Sequence, residues 1–171
     1  MSELFKKTVV FNSANGNAAI APPSNGIRFS GSLIADLEND HRLIIESYLA
    51  AVDAFESGES TQIKKHLEKL KQLLTGHLLK ENRKLYPYLD NYYQGEQEKS
   101  RLVNQFKDEL RSFGNLVFSL LRKYTLLPAA FDSVFKKELD AVGEALEARV
   151  EAEETRLFPL YLPVEKPVAV D

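Results

Sequence analysis

The sequence contains no cysteine, no tryptophan and a single methionine among its 171 residues. Without cysteine the chain forms no disulfide bond, thiolate nucleophile, iron–sulfur cluster or cysteine zinc site. Any metal that binds must therefore be held by nitrogen and oxygen ligands. The motifs G-x-x-x-x-G-K-[ST], G-x-G-x-x-G and G-x-S-x-G are also missing, so neither nucleotide binding nor serine hydrolysis is indicated.

Long apolar runs and an excess of basic residues are missing as well. No stretch approaches the roughly 18 consecutive apolar residues that a membrane span needs, so we expect no membrane contact. The 22 basic residues are outnumbered by 25 acidic residues, and the net charge of −3 argues against a nucleic-acid partner. The apolar residues that follow Lys6 and Lys7 are interrupted by asparagines. This pattern predicts no signal peptide, and we expect a cytoplasmic protein.

Composition divides the chain into three parts. Residues 1–31 are rich in Asn, Gly, Ser and Pro, which predicts an extended N-terminal arm. Residues 32–162 have helical periodicity interrupted by short breaks, and residues 163–171 form a predicted C-terminal tail. The periodicity predicts four helices, which span 32–56, 61–88, 97–124 and 132–157. Because the loops are short, the expected fold is all-α, an antiparallel up-down four-helix bundle with the extended arm.

A polar pair interrupts the leucine-rich row of the second helix. His77 and Glu81 are four residues apart, so both side chains project from one side of the helix and can bind one ion or each other. A glutamate in a core row needs a cation, a hydrogen-bond donor or a proton. His41 lies in the core row of the first helix. If these two helices are antiparallel, its imidazole is expected to converge with that of His77.

An internal repeat adds a second glutamate. The segment that begins at His77 resembles the segment that begins at Arg149, 72 residues later, because Glu81 and Glu153 precede an aromatic–proline pair at the same spacing. Two similar helical hairpins would place Glu153 across the bundle from Glu81. The predicted central cluster consists of His41, His77, Glu81 and Glu153. Glu109, on the third helix, is the fifth candidate.

These motifs resemble a known family. The sequence LIADLENDH that ends at His41, the H-x-x-x-E followed by LYPYL, and EAEETRLFPL on the fourth helix are similar to the hemerythrin-like, or HHE cation-binding, domain. The resemblance implies a four-helix bundle around a non-haem di-iron centre, with roles in O2 binding, oxygen or iron sensing, or nitrosative stress repair. It implies that His41, His77 and Glu81 are metal ligands. Glu153 matches the carboxylate of a second H-x-x-x-E.

The sequence departs from the family pattern at two points. Arg149 stands where the second H-x-x-x-E would have its histidine, and the third helix contains no histidine. With Glu109 in that helix, the chain resembles a divergent bacterial branch of the family. We therefore expect an incomplete ligand set that holds mononuclear or dinuclear non-haem iron, or no metal. Arg149 could pair with Glu153 on the same helix face, and its fixed charge could replace one metal cation.

Three functional interpretations remain open. The first is a non-enzymatic protein that binds iron, or senses iron, O2 or NO in a regulatory or stress role. Its ligands also suit manganese and zinc. The second is a metal-free helical module, in which a buried His77–Glu81 hydrogen bond is structural and the bundle surface or the arm binds a protein partner. The third is an oxidase-like activity at an open di-metal site.

Overall fold

The structure is a computed structural model that describes residues 29–126 and 129–161. The predicted tail 163–171 lies outside these ranges, and only residues 29–31 of the predicted arm lie within them. Within the described residues the chain forms four helical rods and no β-strand. The predicted all-α four-helix architecture is therefore confirmed.

The first two rods carry the first half of the internal repeat. The first rod is α1 (Leu33–Glu56). The second begins as α2 (Ser60–Lys80), continues through a π-helical segment (Glu81–Leu85) and ends as α3 (Tyr86–Tyr92). The predicted boundary at residue 88 is thus extended by one turn, since the proline of this rod is accommodated in the first turn of α3.

The third and fourth rods carry the second half. The third rod is α4 (Gln97–Leu126). The fourth begins as α5 (Ser133–Ala152), continues through a second π-helical segment (Glu153–Leu157) and ends in a 3-10 turn (Phe158–Leu160). Each π-helical segment therefore begins at a glutamate, and the two glutamates occupy equivalent positions of the repeat.

Local signals explain where the rods end and begin. Gly58, between α1 and α2, and Gly95, between α3 and α4, have φ angles of 69° and 92°. This left-handed region suits glycine because it has no Cβ. At the start of α5, the carboxylate of Asp132 accepts hydrogen bonds from the backbone N–H groups of Val134 and Phe135 at 2.9 and 3.2 Å. This cap satisfies donors that the first helical turn leaves unpaired.

The four rods pack as a closed bundle. α1 packs against α2 and α5, and α4 packs against α2, α3 and α5. Each rod thus has two neighbours and turns its apolar face toward a shared interior, as short loops between successive helices require. None of the helices in the described ranges combines the length and apolarity needed to cross a membrane.

The interior consists of two hydrophobic clusters with ionisable side chains between them. One cluster includes Ile44, Leu74 and Leu146, and the other includes Leu37 and Leu85. A layer of buried polar residues separates the two clusters. This polar layer consists of His41, His77, Glu81, Arg149 and Glu153. The sequence interrupts its apolar rows at the same level on three rods, so the layer crosses the bundle.

The end of the predicted arm lies against the bundle. The ring of Phe29 stacks on that of Tyr161, with centroids 5.1 Å apart. The backbone N–H of Ser30 donates a hydrogen bond to the Tyr161 hydroxyl at 2.8 Å. Because Tyr161 follows the 3-10 turn of the fourth rod, these contacts fix the entry of α1 against the end of that rod.

Candidate metal centre

The two π-helical segments position both buried glutamates. Glu81 begins the first segment and Glu153 begins the second. A π-helical turn carries one more residue than an α-helical turn and is frequently found at functional sites. The wider turn changes which residues face the interior after each glutamate. Both carboxylates are buried, and the side chains of His41 and His77 lie beside them.

His41 is held between two adjacent carboxylates of the fourth rod. Its Nε2 atom lies 2.9 Å from Oε2 of Glu153, and its Nδ1 atom lies 2.8 Å from Oε1 of Glu154. Carboxylate oxygens accept hydrogen bonds, so both ring nitrogens donate when no metal is present. Burial disfavours the imidazolium, but these two contacts outweigh it and raise the pKa of His41. The Phe158 ring stacks on the imidazole, with centroids 5.4 Å apart.

His77 lies beside His41 and faces both buried glutamates. The two imidazole centroids are 4.7 Å apart. Nε2 of His77 lies 3.8 Å from Oε2 of Glu81 and 3.7 Å from Oε2 of Glu153. On the other side of the ring, Nδ1 lies 3.7 Å from Oδ2 of Asp40. Burial disfavours the charged ring, but these carboxylates raise the pKa of His77 to about 9.

Arg149 occupies the opposite side of the same cluster. Its Nε atom forms an ion pair with Oε1 of Glu153. Nη1 donates to the backbone carbonyl oxygen of Phe106 at 3.1 Å, and Nη2 donates to the hydroxyl of Tyr86 at 2.8 Å. Glu153 thus offers one oxygen to the guanidinium and the other to the histidines. The predicted Arg149–Glu153 pair and the predicted convergence of Glu153 on the histidines coexist.

The two buried glutamates have opposite pKa shifts. Burial and the nearby negative charge of Glu153 raise the pKa of Glu81 to about 8. Burial also opposes the ionisation of Glu153, but the His41 hydrogen bond, the nearby His77 ring and the guanidinium of Arg149 hold its pKa well below the ordinary value. In the metal-free protein the cluster therefore favours ionisation of Glu153 over ionisation of Glu81.

Comparison with protein families agrees with this geometry. The family model described as the hemerythrin HHE cation-binding domain matches residues 32–161. The chain belongs to this family. No curated protein matched the chain, and no solved structure matched it. The family resemblance carried by the motifs around His41, His77 and Glu153 is thereby confirmed.

The donor atoms of this hemerythrin domain fit a single metal ion by distance. His41, His77 and Glu153 each offer a donor atom, and these three atoms lie within 4.8 Å of one another. Ligand atoms bonded at roughly 2.1 Å to a common ion are about 3 to 4 Å apart, depending on the angle between the bonds. The nearest Glu153 oxygen lies 2.9 Å from Nε2 of His41 and 3.7 Å from Nε2 of His77, and Glu81 lies 3.8 Å from the same atom of His77. These separations fall in or close to this range.

Glu81 supplies the strongest sign that a cation belongs in the cluster. Its side chain is fully buried, and neither of its carboxylate oxygens has a hydrogen-bond partner among the described residues. A buried polar group without a partner is costly, and native interiors rarely contain one. With His77 beside it, Glu81 has the position and the free oxygens of a metal ligand.

One predicted ligand and the third histidine lie away from this cluster. Glu109, the predicted fifth ligand, is exposed on α4, where its carboxylate accepts a hydrogen bond from Gln105 at 2.7 Å. That prediction is wrong because α4 turns the row of Val103, Phe106 and Val117 inward. His66 is half-buried on α2, with its backbone carbonyl bonded to the hydroxyl of Ser47.

Sequence reasoning missed two carboxylates beside the histidines. Glu154 directly follows Glu153 and contacts His41. Asp40 lies beside His77, and Lys80 donates to both of its oxygens at 2.8 and 2.7 Å. The repeat offers no signal for Glu154, because its equivalent in the first half is Asn82, an exposed residue. Asp40 could have been considered from the sequence, because it directly precedes His41 on the helix that packs against α2.

Proposed function

We propose that this hemerythrin domain binds non-haem iron through His41, His77, Glu81 and Glu153. In this proposal it senses or binds iron, O2 or NO in a regulatory or stress role in the cytoplasm. The observation that carries the proposal is the buried pair of Glu81 oxygens without hydrogen-bond partners, 3.8 Å from Nε2 of His77 at their nearer atom. A cation is the partner that this carboxylate lacks.

The donor set fits iron together with manganese and zinc. Imidazole nitrogens and carboxylate oxygens suit iron, manganese and zinc, whereas the copper(I) sites that require thiolates cannot form without cysteine. The family description supports a cation and leaves its identity open. Bound ferrous iron would supply affinity for a small diatomic molecule, which is the reason that we place O2 and NO among the ligands.

The residues around the cluster support binding rather than turnover. Glu154 orients the His41 imidazole, Asp40 lies 3.7 Å from Nδ1 of His77, and the hydrophobic clusters on both sides of the polar layer exclude bulk water. The buried ionisable groups are already engaged as ligands or partners of ligands. We therefore propose that the protein is not an enzyme, and that a change in the metal site is the signal.

Metal content measured on matched histidine variants tests the proposal. Protein purified without added metal and without oxygen is reconstituted with ferrous iron, desalted and assayed for iron per chain. We expect bound iron in the wild type and in His66→Ala, and none in His77→Ala. His66 is the matched control because it is the one histidine outside the cluster. Equal iron in the two variants would contradict the assigned ligands.

A metal-free interaction module is the second candidate. The observation that favours it is the ion pair of Glu153 with Arg149, together with the two carboxylate contacts of His41, because these contacts satisfy four ionisable groups without a metal. In that case the bundle surface binds a protein partner. Wild-type protein that stays free of iron, manganese and zinc after anaerobic reconstitution would select this candidate.

A further inference from the structure

Arg149 and His77 occupy equivalent positions in the two halves of the bundle. Each lies four residues before the glutamate that begins a π-helical segment. Both side chains point into the same polar layer and are buried. The first half thus contributes an imidazole and a carboxylate to the cluster, whereas the second half contributes a guanidinium and a carboxylate.

All three nitrogens of the guanidinium are engaged. Nε pairs with Glu153, Nη1 with the carbonyl oxygen of Phe106 and Nη2 with the hydroxyl of Tyr86. The guanidinium carbon also lies 5.3 Å from the centroid of the Phe106 ring. A guanidinium is planar and stays charged at all accessible pH values. Arg149 is therefore a fixed cation, and its guanidinium binds the oxygen atoms of Glu153, Phe106 and Tyr86 on its side of the cluster.

The guanidinium places a fixed positive charge inside the buried layer, against Oε1 of Glu153. A metal ion at the same position would bring two positive charges together in the interior. Such a contact between like charges is strongly unfavourable where water is excluded.

We propose that the Arg149 guanidinium takes the place of a second metal cation, so that the chain binds one metal ion on the side of His41 and His77. This inference rests on the proposed metal-binding function. Glu153 then joins the two halves of the cluster, with Oε2 directed to the metal side and Oε1 to the guanidinium. Replacement of the arginine by a metal-binding side chain should open the second position.

The number of iron ions per chain tests this inference. Wild type, Arg149→His and Arg149→Lys are reconstituted anaerobically with ferrous iron, desalted and analysed for iron and protein. We expect one iron per chain in the wild type and in Arg149→Lys, which keeps the charge. Arg149→His removes the fixed charge and adds an imidazole, so it should bind close to two.

Each outcome separates this inference from the proposed function. A wild type without iron would overturn the proposed function itself. Two irons in the wild type would leave the proposed function intact and overturn the role of Arg149. One iron in both the wild type and a folded Arg149→His protein would also overturn it, because the guanidinium position would then not be a metal position.

A second measurement is needed if circular dichroism shows that Arg149→His does not fold. Electron paramagnetic resonance of the oxidised wild type distinguishes a single ferric ion from a coupled pair. An isolated high-spin ferric ion gives a signal, and we expect its integrated intensity to correspond to one paramagnetic ferric centre per chain. An antiferromagnetically coupled ferric pair is silent, and iron-loaded protein without a signal would overturn the inference.

Discussion

Nδ1 of His41 lies 2.8 Å from Oε1 of Glu154. The carboxylate fixes the orientation of the ring and requires a proton on Nδ1, so that Nε2 is the nitrogen directed at the other cluster residues. Metal-binding histidines are commonly oriented by a carboxylate in this way. The contact gives Glu154 the role of a positioning residue, although its side chain remains partly exposed and is not itself a proposed ligand.

Removal of the charge of Glu154 should weaken metal binding. In Glu154→Gln the side chain keeps its size, but the amide holds the His41 ring less strongly and no longer increases its basicity. We expect the affinity for ferrous iron to fall by about 10-fold or more. Anaerobic competition with a coloured chelator measures the change, alongside the melting temperature of the metal-free protein.

Glu151→Gln is the matched control for this substitution. Glu151 is exposed near the end of α5 and loses the same single charge when it is changed. Its affinity for iron should stay within about twofold of the wild type. Equal weakening by the two variants would show that the net charge of the rod, and not the contact with His41, determines the affinity.

The sequence predicts the ligand candidates better than it predicts the residues that orient them. His41, His77, Glu81 and Glu153 interrupt apolar rows, and such interruptions are visible in the sequence as departures from helical periodicity. Glu154 cannot be found in this way. Helical periodicity turns it away from its neighbour Glu153, whereas in the structure the two carboxylates, at the start of the π-helical segment, reach the two nitrogens of one imidazole.

The fold itself follows from periodicity, loop signals and length, which is why the four rods are predicted to within a few residues at most of their ends. The error at Glu109 has a different cause. Two neighbouring rows of α4 are almost equally apolar, so the sequence does not determine which row faces inward. In the structure Val103 and Val117 of one row are buried, whereas Leu116 and Glu109 of the other row are exposed.

The stability of the metal-free protein should fall as the pH rises from about 6 to 9. In the folded state the pKa of His77 is raised to about 9 and that of Glu81 to about 8, from 6.5 and 4.5. A group with a raised pKa in the folded state binds its proton more tightly there. Its stabilisation is complete below the unfolded-state pKa and is lost as the pH rises through the folded-state pKa.

Thermal melts of chelator-treated protein measure this dependence. We expect the free energy of unfolding to decrease by at least about 1 kcal/mol across this interval. Glu81→Gln removes the contribution of Glu81, because the amide does not titrate, and should make the decrease shallower. A melting temperature that is constant or rises over the same interval would contradict the assigned protonation states.

Gly143 is required by a close contact between α5 and α1. A Cβ atom at this position would overlap the phenol of Tyr48, which is buried on α1. Gly143→Ala should therefore destabilise the protein by about 1–3 kcal/mol, since the ring must move within a packed interior. Urea denaturation measures the difference.

Gly114→Ala provides the comparison for Gly143. Gly114 is also helical, but the nearest atom to an added Cβ belongs to Phe118 at 4.0 Å, an ordinary contact distance. Alanine is the better helix former, so this variant should be more stable than the wild type by about 0.5–1 kcal/mol. Destabilisation of similar size in both variants would mean that the contact with Tyr48 does not explain the effect at Gly143.

The last prediction concerns the start of the rod that carries Arg149 and Glu153. The Asp132 carboxylate caps α5 through two backbone N–H groups, whereas Ser32, at the equivalent position of α1, makes no capping hydrogen bond with its side chain. Asp132→Ala should cost about 1 kcal/mol of stability and Ser32→Ala only a few tenths. Denaturant melts of the two variants decide the matter. A larger loss in Ser32→Ala would mean that the α5 cap contributes little, and that the position of the fourth rod depends on its buried residues alone.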